Sequence, residues 1–147
     1  MGVVVGDVIL PNPSLLVKDV VANDSDKTFT VPTEAVWDIH SIQVVFDATA
    51  TVGNRNLFVM VLDATGAEVH RLQAAVSQTA NQSIFHTFSA GYPRETALQG
   101  TVLLGPLPQP LLLPAGFQLH ILDGSIIDPT ADDMLVYILG EQSVAAP

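Results

Sequence analysis

The apolar residues of this chain come in short runs, each closed by a turn signal, and nowhere do they recur with the 3.6-residue period of an amphipathic helix. That leaves the β-strand as the element the sequence can bury. Leu57-Phe58-Val59-Met60-Val61-Leu62 is continuously apolar and stops at Asp63-Ala64-Thr65-Gly66, with Val69 and Leu72 in a more polar stretch beyond. This predicts a hairpin whose first strand is buried, because a run so short is no helix and both its ends are turns. Phe117-Gln118-Leu119-His120-Ile121, after the turn Pro114-Ala115-Gly116, alternates cleanly and predicts a strand with one buried and one wet face. Met134 to Leu139 predicts a last strand covered on both sides and ended by Gly140. Shorter strands are expected at Ser83 to Ser89, at Thr101 to Leu104 and at Leu111-Leu112-Leu113.

The stretch from Ala35 to Phe46 poses a conflict. Val36, Ile42, Val44 and Phe46 share one parity, while Trp37 and Ile39 share the other. A strict period of two cannot bury them all on one face, so either a bulge lies near His40-Ser41 or the strand is covered on both sides. The prolines at 106, 108 and 110 remove ladder donors, and the segment around them is expected to cross between strands in an extended, polyproline-like form. With about eight strands after residue 34 and turn signals between them, the predicted fold is an all-β, jelly-roll β-sandwich spanning residues 33–142. A frayed tail, 143–147, is expected to follow.

Residues 1–32 read differently. Val3, Val4, Val5, Val8, Ile9 and Leu10 precede Pro11-Asn12-Pro13, then come Leu15, Leu16 and Val17 and the polar stretch Asn23-Asp24-Ser25-Asp26-Lys27. Two readings stand side by side: an extended N-terminal arm of short strands, or strands that add to the domain's own sheet. If it is an arm, Val3, Val5, Ile9, Leu10, Leu15 and Leu16 are its candidate partner-binding residues.

Fifteen acidic side chains against five basic ones (Lys18, Lys27, Arg55, Arg71, Arg94) give a formal charge of −10. Such a surface repels phosphate backbones, and the scattered basic residues form no patch, so nucleic acid is not an expected partner. Without cysteine there is no disulfide, thiolate metal site or thiol nucleophile, and packing has to supply the stability. No apolar run approaches the ~20 residues of a membrane span, and the start lacks the cationic segment of a signal peptide. Met1-Gly2 is followed by Gly6 where myristoylation wants Ser or Thr. A soluble product of the cytosol, with no membrane partner, is the expectation.

Candidate chemistry is sparse. His40, His70, His86 and His120 lie on four predicted strands and would have to converge inside a barrel to hold a metal. Pro114 to His120 resembles part of the second cupin motif, but the paired histidines of the first are missing, so no metal or other cofactor is expected. Asp123, Asp128, Asp132 and Asp133 crowd one loop, an oxygen-rich composition that suits Ca²⁺ but whose spacing fits a solvated acidic turn better. Arg55, after Gly53-Asn54, either anchors a carboxylate of a neighbouring chain or is solvated in a surface loop, and the second is expected. Trp37, Tyr92 and Tyr137 are expected in core packing rather than on a sugar platform. No nucleophile elbow is present and no opposed carboxylate pair stands out, so the chain is not read as an enzyme.

The run Val36-Trp37-Asp38-Ile39-His40-Ser41-Ile42-Gln43-Val44-Val45-Phe46, then Thr49-Ala50-Thr51-Val52-Gly53-Asn54-Arg55-Asn56-Leu57 and Leu62-Asp63-Ala64-Thr65-Gly66, resembles small jelly-roll proteins encoded among the virion genes of tailed bacteriophages. Leu112-Leu113-Pro114-Ala115-Gly116-Phe117-Gln118-Leu119 and Asp132-Asp133-Met134 fit the same picture, and the likeness covers about residues 34–140. It implies a capsid cement, or decoration, protein made in the host cytoplasm. Such a protein sits on the outer surface of the head as a homotrimer and bridges subunits of the major capsid protein. The alternative it leaves open is a receptor- or carbohydrate-binding module of a tail, neck or fibre.

Overall fold

The computed structural model describes the backbone of residues 3–5 and 8–10 and the whole of 14–21, 25–128 and 130–144. The strands are β1 (Val3–Val5), β2 (Val8–Leu10), β3 (Ser14–Asp19), β4 (Asp26–Thr30), β5 (Ala35–Asp47), β6 (Leu57–Leu62), β7 (Glu68–Gln73), β8 (Ser83–Ser89), β9 (Val102–Pro106), β10 (Leu112–Pro114), β11 (Gln118–Asp123) and β12 (Asp133–Val144). No helix occurs among the described residues. The protein is an all-β sandwich. One sheet runs β3-β12-β5-β8-β9, with β10 on the first half of β5, and faces a second sheet of order β4-β11-β6-β7. Within both sheets neighbours are antiparallel except β8 and β9, which are parallel.

The core lies between the sheets. Ile42, Val44 and Phe46 of β5, Val59 of β6, Leu119 and Ile121 of β11, and Met134, Val136 and Ile138 of β12 are all fully buried. Each large aliphatic or aromatic side chain so placed contributes about 1.5–3 kcal/mol, which is how a chain without disulfides holds together.

The parity conflict in β5 is resolved by a bulge. Ala35, Trp37 and Ile39 point inward up to that point, and Ile42, Val44 and Phe46 beyond it. Opposite, Leu139 pairs with Ser41 and Gly140 pairs with Ile39, so His40 is the extra residue. Gly140 is needed there because a Cβ at that position would stand 2.1 Å from the Asp38 carbonyl oxygen. Trp37 fills the core and donates its indole N–H to Gln142 at 2.9 Å.

The boundary drawn at residue 32 does not separate an arm from a body over residues 14–30. β3 pairs with β12, from Asp19↔Val136 to Ser14↔Gly140, and β4 pairs with β11 along its whole length. Both strands edge the two sheets of the sandwich. β1 and β2 pair with each other, Val3 opposite Leu10 and Val5 opposite Val8. The side chains of Val3, Val5, Ile9 and Leu10 lie outside the described residues. At the other end β12 continues to Val144 opposite Ala35, so residues 143 and 144 are paired and only 145–147 lie outside the described residues.

A second difference concerns the proline stretch. Gly105 and Pro106 complete β9, opposite Phe88 and Ser89, before the chain leaves the sheet. Pro106 is tolerated because β9 is the outermost strand.

Candidate functional site

The outer face of the larger sheet is assembled from three rows of side chains in register. The first row runs Leu135, Val45, Phe85, Val102, and the second Lys18, Tyr137, Gln43, Thr87, Leu104. The third runs Leu15, Leu139, Ser41, Ser89, Pro106. Lys18, on the edge strand, is the single charged residue in this band, although the chain as a whole carries −10. Asp133 and Asp47 bound it at one end, Asp38 and Glu141 at the other. Leu15, Phe85, Val102 and Leu139 are exposed, and a shallow groove of about 350 Å³ opens between Leu15, Ser41, Gln43, Thr87, Tyr137 and Leu139. Surface of this kind, with apolar side chains exposed among uncharged polar ones and carboxylates at both ends, is the pattern that protein-binding faces share.

Of the candidate partner-binding residues, the structure places Leu15 on this face. Leu16 is half-buried and packs against the core instead. Tyr137 stands in the groove and Tyr92 is exposed in the turn after β8, so neither fills the core as expected. Alternation carries the tyrosine of β12 outward because Val136 and Ile138 face in.

Arg55 is a correction. Instead of being solvated it is completely buried, and all its N–H groups are used. Nε and Nη2 grip the two oxygens of Asp132 at 2.8 and 3.1 Å, Nη2 also reaches Thr49 Oγ1 at 3.3 Å, and Nη1 donates to the carbonyls of Thr51 and Gly53 at 2.8 and 2.9 Å. Gly53 has φ +149, and a Cβ there would meet Ile127 Cδ1 at 2.7 Å, so glycine alone lets this loop close over the arginine. Burial by itself would raise the Asp132 carboxyl, but the guanidinium and the Thr49 amide hold it below the usual carboxylate range.

The acidic loop is likewise no solvated turn. Asp123 is buried and accepts the amides of Asn56 and Ser125 on one oxygen and of Ile127 on the other. Asp128 accepts the hydroxyls of Thr49 at 2.7 Å and Thr51 at 3.0 Å. These carboxylates bind the 49–56 loop to the 123–132 loop and form a structural clamp at one end of the sandwich.

The four histidines are not brought together. His86 points between the sheets, His40 lies on the outer side of the larger sheet at the bulge, His120 pairs with Asp26 outside the smaller one, and His70 is exposed on the edge strand β7. Among the described residues, Asp38, His40 and Glu141 place one ligand atom each within 4.8 Å of the others. All three are partly open to water, and the Asp38 to His40 contact of 3.4 Å already accounts for two of them. No helix among the described residues is long and apolar enough to cross a membrane. Compared with protein-family models, with curated proteins and with solved structures, the chain finds no match, so its function is read from its own geometry.

Proposed function

We infer that this chain is a non-catalytic virion protein of a tailed bacteriophage: a jelly-roll capsid decoration protein that binds the outer surface of the assembled head and bridges major capsid subunits. The strand order supports the jelly-roll reading. The orders β3-β12-β5-β8 and β4-β11-β6-β7, each with an early and a late strand side by side, are those expected of two four-stranded jelly-roll layers, with β9 and β10 read as an insertion between β8 and β11. The nearly uncharged outer face of the larger sheet carries the functional reading. It supplies a broad, nearly uncharged contact on a rigid body, with Leu15, Phe85, Val102 and Leu139 exposed on it and Asp47, Asp133, Asp38 and Glu141 at its margins.

A cement protein needs selectivity for one state of its target. Binding to the assembled shell and not to free subunits stabilises the shell by mass action. A homotrimer multiplies weak contacts through effective concentration, so no single face needs high affinity. The resemblance of residues 34–140 to phage virion jelly rolls is what selects the capsid among protein partners.

The test is sedimentation with assembled heads of the phage that carries the chain, beside unassembled major capsid protein. Full-length chain should pellet with heads and not with free subunits. Leu139→Arg and Phe85→Arg should each weaken attachment at least tenfold while changing folding stability by no more than about 0.5 kcal/mol, because both sites are exposed. Undiminished binding of both variants would remove the face from the argument. Binding to a defined glycan, with none to heads, would replace the decoration reading by the receptor-binding one.

A further inference from the structure

We propose that the open side of the sandwich between the edge strands β7 and β9 is a binding site for a small aromatic acid that carries a hydroxyl group. A cavity of about 200 Å³ lies there, with Leu72, Ala74, Phe88 and Leu103 among its walls, His86 within it and Arg94 beside it. An apolar cavity of roughly 150 Å³ already holds a benzene ring, so this one has room for a ring and a short substituent.

The polar group inside defines the ligand. His86 is 1% exposed. Gln78 donates both amide hydrogens, to the Phe46 carbonyl at 2.6 Å and to the Gln82 carbonyl at 2.7 Å, so its Oε1 is left as an acceptor facing His86 Nε2 at 3.3 Å. The imidazole therefore carries its hydrogen on Nε2, and Nδ1 is a lone-pair acceptor. Nδ1 is buried with no hydrogen-bond partner. Burial holds this histidine neutral, with its pKa lowered to about 4. A buried bare acceptor calls for a donor, which a phenolic O–H provides and a carboxylate does not.

The mouth supplies the charge. Two of the five basic residues of a strongly acidic chain, Arg71 and Arg94, line this cavity. Arg71 is held by Glu68 at 2.6 and 2.8 Å and lies over the Phe58 ring. Arg94 makes no ion pair or hydrogen bond among the described residues, and its neighbour Glu95 is pinned to β9 by bonds to Leu104 in both directions. That places an exposed guanidinium beside the opening, where a carboxylate binds with its charge still partly hydrated. The site adjoins the β9 end of the outer face, since Leu104 and Pro106 line it too, but it does not depend on whether the chain decorates capsids.

The experiment titrates the full-length chain with 3-(4-hydroxyphenyl)propionate by calorimetry, and follows the imidazole nitrogens of His86 by NMR. Saturable binding with a shift of the Nδ1 resonance is expected. 3-Phenylpropionate, which lacks the hydroxyl, should bind about tenfold more weakly. Arg94→Gln, an exposed change that leaves folding intact, should weaken the acid about tenfold and leave 4-ethylphenol unaffected. Leu103→Trp, checked for folding by circular dichroism, should abolish binding of both by filling the cavity. No saturable binding, an unmoved Nδ1 resonance, or binding indifferent to Arg94→Gln overturns the proposal, the second by showing that the ligand makes no hydrogen bond to Nδ1.

Discussion

Replacing Arg55 by methionine isolates the clamp between the two loops. The substitution keeps the length of the side chain but strips Asp132, itself fully buried, of both guanidinium hydrogen bonds and leaves it only the Thr49 amide at 2.8 Å. Breaking a buried pair from one side costs about 3–5 kcal/mol, chiefly because the remaining charge has lost its compensation. The roof here is loop rather than sheet and can open to admit water, so about 3 kcal/mol is the expected loss. For a chain of this size that lowers Tm by about 10 °C. Urea unfolding followed by Trp37 fluorescence gives the free energy directly. The double variant Arg55→Met with Asp132→Leu removes both charges and should regain most of the loss, to within about 1 kcal/mol of the parent.

Acid supplies an independent check of the same reasoning. In the parent, the folded-state pKa of Asp132 lies below its unfolded value, so its stabilisation is present at neutral pH and is lost as the pH falls through the folded value. In Arg55→Met burial is no longer opposed, the folded pKa of Asp132 rises above the unfolded one, and mild acid should restore part of the lost stability. A loss under 1 kcal/mol, or single-variant effects that simply add in the double variant, would refute the account of the clamp.

Three other outcomes are expected. His86 titrates at about 4 when folded against 6.5 when free, so the unfolded chain takes up its proton first; stability falls from about pH 6.5 downward, by about 2 kcal/mol at pH 5, until the loss levels off below 4. Urea midpoints measured against pH should show this slope in the parent and not in His86→Leu. Gly140→Ala drives a methyl group into the Asp38 carbonyl, which is backbone and cannot swing away, and should cost about 2–3 kcal/mol in the same assay. Deleting residues 1–13 keeps both β3 and β4 and should leave a cooperatively folded sandwich by thermal unfolding, whereas deletion through residue 30 removes an edge from each sheet and should abolish the transition.

The strand framework was legible because it is written in alternation. The hairpin from Leu57 to Leu72 and the half-buried strand around Leu119 are where local pattern puts them, and the parity switch between Ile39 and Ile42 left a choice between a bulge and a strand covered on both sides that the register with β12 decides. His86 was readable by the same rule, since it shares parity with Ile84 and Phe88 and so had to face inward. Arg55 was not. Its partner stands 77 positions away, and a lone arginine after glycine and asparagine looks like any surface loop until the chain is folded. The same distance hid the placement of β3, whose neighbour is the last strand, and the proline break before it left an arm and a strand of the domain's own sheet equally open. The uncharged face was hidden too, because it is a property of registers among five strands and of no one segment.

The first and last strands of both layers lie side by side, and this orders events in time. While the chain is being made, β3 and β4 have no partner until β11 and β12 leave the ribosome, so the apolar stretch from Leu15 to Val17 stays open to other chains throughout synthesis. Pairing over such separations is slow, and a nascent chain crowded among copies of itself is most at risk of exchanging these edges before the sandwich closes.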